Sequence, residues 1–317
     1  MQLFSLVFFE GVVEDIHDPL ELGRVRVRII GLHTANKTLI PTDTLPWAII
    51  AQDPTSAATS GIGKSPTGIL QGSTVIGYFR DGQSCQQPVI TGTIAGIPEE
   101  KTPQNTGFSD PDGVYPLQAG ENDVNRLARG ITSGTCIEQR NNSLDKNVPT
   151  ANGGTWSEPA PEYSTVYPNN KVFHSKSGHT IEVDDTDGKE RVHVYHKSGS
   201  FVEFFPDGKT VQKSKKDNYE IVQNNKNLHV SGQLNITVDS NATVYVLQDA
   251  IVRINGNCQS TIFGDSTQTI QGNVSQTVQG NATQTVSGNM SMTVSGSMDM
   301  VTGAVTWKAP AVDFIKA

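Results

Sequence analysis

The chain has 317 residues, 35% hydrophobic and 18% charged, with a formal net charge of −8. That length accommodates two or three modules, the polarity is too high for a membrane-embedded chain, and the acidic balance argues against adhesion to nucleic acid or to an anionic membrane surface. Cys85, Cys136 and Cys258 are odd in number and far apart, with neither a C-x-x-C pair nor a Cys/His cluster, so no disulfide framework, metal or other cofactor is expected.

The apolar stretch Leu3 to Phe9 has no basic leader, is too short to span a bilayer and precedes Glu10-Gly11, not a small-residue cleavage site. It reads as a strand in a protein made in the cytoplasm. Residues 1–98 continue as all-β: Phe8 to Glu14, Gly23 to Leu32, Pro46 to Ala51, Gly72 to Arg80 and Pro88 to Ile94 suggest the five strands of an OB-fold barrel. Arg24, Arg26 and Arg28 alternate with Val25 and Val27, so the valines are expected to face the core and the arginines solvent or a neighbouring subunit. No aromatic residues interleave with the arginines, and nucleic acid is not expected as a partner. Ala58 to Ser65, with Gly63-Lys64-Ser65, fits a relaxed P-loop pattern, but Pro66 and Gly68 stand where a helix must begin, so a barrel loop is expected.

Phe9-Glu10-Gly11-Val12-Val13-Glu14-Asp15, Asp18-Pro19-Leu20 and Gly23-Arg24-Val25-Arg26-Val27-Arg28 resemble the opening of the central spike proteins of contractile phage tails. Gly72-Ser73-x-Val75-x-Gly77-x-Phe79-x-Asp81-Gly82 and Pro88-Val89-Ile90-x-Gly92-Thr93 fit the same family. The resemblance implies a barrel that docks beneath a separate baseplate hub protein.

Residues 99–168 are rich in scattered Pro, Gly, Asn and Asp and read as an extended linker, with one helical candidate from Asn122 to Arg129. Some spikes of this family carry a muramidase between barrel and needle. The segment here has no helical, core-forming sequence, so a cell-wall-cutting domain is not carried over.

A β-strand shaft entrance is expected over residues 169–226. Ser177-Gly178-His179-Thr180-Ile181-Glu182-Val183-Asp184-Asp185-Thr186, followed by Glu190-Arg191-Val192-His193-Val194-Tyr195-His196-Lys197-Ser198-Gly199-Ser200, is similar to the entrance shared by phage spikes and the VgrG spikes of type VI secretion. VgrG proteins carry a hub-like region ahead of the barrel; here the barrel starts almost at Met1, which ranks a phage spike first and a VgrG-like or tailocin spike second. Asp184, Asp185 and Asp187 before Gly188 fit a hairpin turn more readily than a cation site, or than an acid/base pair of Asp184 with Glu190. His174, His179, His193 and His196 read as strand-pairing or surface histidines in preference to metal ligands.

Residues 227–307 carry an eight-residue repeat. Glycines stand at Gly232, Gly256, Gly264, Gly272, Gly280, Gly288 and Gly296, and two residues before each period mark lie Val230, Val238, Val246, Ile254, Ile262, Ile270, Val278, Val286 and Val294. Between marks the chain alternates, with even-numbered side chains facing inward and Asn, Ser, Thr and Asp facing outward. Each octad is a short strand closed at a turn, where a glycine permits either an unusual φ or a close backbone approach. Nine β-branched residues cannot offset the backbone entropy of about 70 residues at ~1–2 kcal/mol each, so a single ribbon needs neighbours. Units so alike favour a threefold axis: an intertwined, triple-stranded β-helix in a homotrimer, roughly 43 Å long at ~4.8 Å per strand. Gln268, Gln276 and Gln284 fall on the inward face, where rings of three form either a polar structural core or an ion site.

Residues 308–317 form the tip, with Phe314 and Ile315 exposing apolar surface that a separate cap resembling the PAAR proteins would cover. Some spikes of the family carry a His-x-His iron site near the tip, but no histidine follows His229. The expectation is therefore a non-enzymatic virion protein, assembled in the host cytoplasm, that transmits contraction force and meets the host outer membrane transiently. Its rival, a trimeric tail fibre that binds or cleaves polysaccharide, would require an aromatic groove with paired carboxylates.

Overall fold

A computed structural model describes residues 6–306 and Lys308. Five strands, β1 (Val7–Asp15), β2 (Val25–Ile29), β3 (Trp47–Ile50), β4 (Thr74–Phe79) and β5 (Pro88–Ile94), close into a barrel in the order β1-β2-β3-β5-β4. β3 runs parallel to β5 and the other pairs are antiparallel, the closure of an OB-fold. The strands follow the five predicted from sequence. Alternation sends Phe9, Val13, Val25, Val27, Ile29, Ala48, Val75, Phe79 and Ile90 into one core. Gly77 is required by a close approach, because a Cβ there would strike the Val89 carbonyl and the Phe9 ring where the β4–β5 register shifts.

The arginine stripe on β2 departs from the expected solvent-facing row. Arg28 is fully buried: its Nε and Nη2 donate to the two Glu14 carboxylate oxygens at 2.6 and 3.1 Å, and Nη1 and Nη2 donate to the carbonyls of Thr34 and Ile40 at 2.8 Å each. Glu14 also accepts from the Thr42 hydroxyl and the Phe108 N–H. The loops after β2 and β5 roof this side of the barrel, converting an outward strand position into an interior one. A charge survives there only because each group has a partner. Arg24 is tied to Asp18 and holds that carboxyl well below the usual carboxylate range. The Arg26 guanidinium lies 4.4 Å from the Trp47 ring centre and donates to the carbonyls of Asp43 and Leu45.

The segment after β5 folds back on the barrel. Gly107 donates to the Ala35 carbonyl at 2.5 Å and lies so close to the Arg28 side chain that a Cβ would overlap it. Asp110, buried, accepts from the N–H groups of Asp112, Val114 and Tyr115. The helical candidate at 122–129 ends in a 3-10 turn, Leu127–Arg129, and a six-residue helix that was not expected, α1 (Cys136–Asn141), follows under a Thr135 cap. Six residues are too few for an apolar period to be visible.

A short hairpin, β6 (Val148–Pro149) and β7 (Thr155–Trp156), precedes a five-stranded antiparallel meander of β8 (Asn170–His174), β9 (Thr180–Asp184), β10 (Arg191–Tyr195), β11 (Phe201–Phe204) and β12 (Thr210–Lys213). Leu127, Cys136 and Ile137 pack with Tyr195 and Phe201 in a second core, so the segment around α1 lids one face of this sheet. Among the described residues no strand follows Lys213 and no helix is long and apolar enough to cross a membrane. The chain divides into two units, one ending at Ala242 and the other beginning at Thr243.

The buried pair yields a prediction. Arg28→Ala leaves Glu14 without its counter-ion and should cost about 3–5 kcal/mol in urea unfolding, whereas the double change Glu14→Leu with Arg28→Met should cost much less. Equal losses in both variants would show that the pair itself does not hold the barrel roof.

Candidate functional site: an inverted sheet and an octad shaft

The sheet of β8 to β12 is built inside out. Alternation is regular, but the polar parity faces the lid and the apolar parity faces out. Asn170, Thr180, Glu182, Asp184, Arg191, His193 and Glu203 are buried, while Phe173, Ile181, Val183, Val192, Val194 and Phe204 are 38–64% exposed. The sequence displays this alternation plainly; the usual expectation that apolar residues face the chain's own core assigns the faces in reverse.

Beneath the lid lies an ionic network. Arg191 donates to Glu182 at 2.7 Å and to Glu203 at 2.8 Å, and Arg140, from α1, donates to the other Glu203 oxygen at 2.5 Å. His193 Nδ1 lies 2.8 Å from Glu182 and its Nε2 faces Arg140 at 3.3 Å. The ring is held between the Glu182 carboxylate on one side and the Arg140 guanidinium on the other. Two guanidiniums thus balance two carboxylates, with Arg140 stacked 3.7 Å from the Phe201 ring centre and Arg191 4.9 Å from that of Tyr163. Burial alone would raise the Glu182 pKa, but the His193 hydrogen bond and the Arg191 charge outweigh it and hold it below the ordinary value.

Cys136, Glu182 and His193 bring ligand-type atoms within 4.8 Å of one another. The trio does not suit a metal. Both histidine nitrogens and both Glu182 oxygens are engaged, arginines stand on two sides, and burial pushes the Cys136 thiol up to about 12. The other histidines stand apart from this trio: His174 sits on β8 with Nδ1 3.0 Å from the Thr180 hydroxyl, and the His179 and His196 rings meet at a tilt, 4.4 Å apart, across neighbouring turns. His193 takes the strand-pairing alternative, lying opposite Glu182 in the β9–β10 register and bonding to it, but it is not a surface residue because Arg140, from a helix distant in sequence, covers it.

The acidic cluster makes a turn. Asp184 accepts from the Thr186 N–H and hydroxyl at 3.0 and 2.6 Å and from Thr165, Asp185 pairs with Lys171 at 2.5 Å, and Glu190 accepts from the Gly188 N–H. In the P-loop-like stretch, Lys64 donates its N–H to the Ser56 hydroxyl, and a loop leads from there to β4 with no intervening helix.

Along the shaft the backbone bends every eight residues, at 223–224, 231–232 and onward to 295–296, at Ser240 and Gln248 as well as at the glycines. Among the described residues from 214 to 306, no backbone group bonds to another backbone group of the chain. Val230, Val238, Val246, Ile254, Ile262, Ile270, Val278, Val286 and Val294 are 43–60% exposed, and Gln268, Gln276 and Gln284 are open. None of the seven octad glycines, nor Gly303, has a positive φ, and a Cβ on any of them would meet nothing within 4 Å. An unusual φ is therefore not the reason for glycine here. A close approach requires a neighbour outside the single chain. Phe314 and Ile315 lie outside the described residues.

Residues 31–172 match the family model of the Gp5 N-terminal OB domain, a span that takes in β3, β4 and β5 of the barrel together with the segment folded behind it. The chain is 38% identical over 288 residues to protein Gp5 of Vibrio phage KVP40, covering 80% of this chain and 68% of that one. It is 45% identical over 153 residues to the pre-baseplate central spike protein Gp5 of Enterobacteria phage T4, covering 46% of this chain and 26% of the T4 protein.

The depressed Glu182 pKa sets a pH dependence. Its contribution to stability is complete above the unfolded value of about 4.3 and is lost as pH falls through the lower folded value. Melting temperatures followed by circular dichroism should therefore drop below about pH 4 in the parent chain. Glu182→Gln should melt lower at pH 7 and lose less between pH 5 and 3; parallel curves would remove Glu182 from the acid response.

Proposed function

The chain belongs to the Gp5 family of phage baseplate central spike proteins, and from that premise we propose that it works as a homotrimeric, lysozyme-less needle carrying the force of tail contraction to the host envelope. It is a structural component of the baseplate and hence of the virion. The observation that carries the trimeric reading is the inverted sheet: a face bearing Ile181, Val183, Val192, Val194 and Phe204 stays open while the charged face is sealed. Three such faces meeting on an axis would bury one another, and the unpaired octads that follow would gain their hydrogen bonds from the two other chains.

On this reading residues 1–98 form the barrel that meets a hub protein, 99–168 the linker, 169–226 the shaft entrance and 227–307 the β-helical needle. Residues 308–317 form the tip, where a PAAR-like cap would sit. Mechanically, a rod whose strands are shared by three chains resists bending and cannot shed one subunit without breaking the ladders of the others. A non-enzymatic role is supported by the state of the carboxylates buried under the lid: Glu182 and Glu203 are clamped by arginines and Asp184 is committed to its turn, so none of these three is poised as a general acid.

Light scattering on the purified chain should give a mass near three chains, resistant to unheated detergent, and a truncation after Asn227 should lose that resistance. A monomeric full-length chain would overturn the trimer. Val278→Asn together with Val286→Asn should lower the detergent-resistance temperature by tens of degrees while leaving barrel unfolding unchanged. Incubation with peptidoglycan and with host polysaccharide should release no reducing ends; reproducible release would refute the non-enzymatic reading.

A further inference from the structure

The outward, odd-numbered positions of the shaft from Ser231 to Asp299 are Asn, Ser, Thr, Gln and a few charges, with four exceptions: Tyr245, Leu247, Ile251 and Phe263. These are 83, 84, 93 and 101% exposed. Val244 and Val252 are equally open in the single chain, but their even numbers assign them to the axis. The apolar residues are concentrated within three octads, and none occurs at any outward position between Asp265 and Asp299. A uniform preference of exposed strands for polar residues does not produce such a band.

The trimeric reading gives the band a shape. If each octad descends one level and turns to the next face, the octad carrying Tyr245 and Leu247 stands above a second chain's octad carrying Ile251 and Arg253. Below that lies the third chain's octad carrying Phe263. Each face then displays all four side chains within about 10 Å of axis. At up to ~150–250 Å² for each aromatic residue, three faces together offer well over ~1,000 Å² of apolar surface. That exceeds the ~300–600 Å² patch ordinary on a monomer and the ~800 Å² per partner of a stable interface. Asp249 and Arg253 lie inside the band, and charges within a lipid-facing surface are unfavourable. Two aromatic residues, two aliphatic ones and an arginine are instead the composition of a protein-binding core.

We propose that this band is a grip: a docking surface for a protein collar of the tail that encircles the shaft, apolar opposite Tyr245, Leu247, Ile251 and Phe263 and bearing carboxylate or carbonyl oxygens opposite Arg253. The inference rests on the trimeric reading. Its function would be to hold the needle before contraction, with the polar shaft below the band left free to slide.

The test uses assembled tails. With the photo-crosslinker benzoylphenylalanine in place of Phe263, irradiation of purified tails should join this chain to one other tail protein at least tenfold more efficiently than the same group in place of Thr277. The variant Tyr245→Thr, Leu247→Thr, Ile251→Thr and Phe263→Thr, which extends the surrounding skin through the band, should keep its trimeric mass and detergent resistance yet reduce spike occupancy of tails at least tenfold. Crosslinks only to a second copy of this chain, or no excess over position 277, would overturn the collar. So would binding of the parent trimer to phosphatidylcholine–phosphatidylglycerol vesicles that the variant loses. A chain that is not trimeric by mass would instead remove the reading on which the band depends.

Discussion

The β8–β12 sheet can bury only one of its faces within the chain, and the face it buries is the charged one. Arg140 reaches from α1 into the sheet and, with Arg191, neutralises Glu182 and Glu203 under a lid that contributes Leu127 and Ile137. Buried ion pairs of this kind add little net stability compared with an apolar core, but they are costly to break, so they fix the lid in one position. Sealing the polar face in this way leaves the apolar one, with Ile181, Val183, Val192 and Val194, exposed on the chain.

The shaft extends the same dependence. Among the described residues its backbone bends on an eight-residue beat and carries no internal ladder, so apart from Ala304, which bonds to the Thr302 hydroxyl, its N–H and C=O groups are left to water or another chain. Glycines with ordinary φ and empty space around them are unnecessary to an isolated chain and become intelligible when another backbone passes close by. Stability, rigidity and function would then depend on one event, the meeting of three copies. A structural spike of the baseplate would gain from such an arrangement, because the load would be shared by every chain at every level.

The barrel uses a buried pair differently. Arg28 and Glu14 tie together β1, β2, the loop after β2 and the segment around Gly107, so the start of the linker is fastened to the barrel. With α1 fastened to the sheet at the other end, a stretch whose composition suggests a loose tether is anchored at two points. Both anchors place an arginine beneath a cover drawn from elsewhere in the sequence.

The periodic features were legible in the amino-acid order alone. Five strands in the barrel, the beat of the octads, the parity of the sheet strands and the turn after Asp184 are all local, because they follow from side-chain alternation and from residues that favour bends. The resemblance to central spikes was likewise legible in short motifs around Phe9, Gly72 and Ser177. Which parity lies inside depends on long-range packing. Arg28, His193 and Glu182 lie where a strand pattern alone suggests solvent, and they are buried because Gly107, Arg140 and Ile137, far away in the chain, fold over them. Burial is a property of what arrives from a distance, and alternation records only that two faces differ.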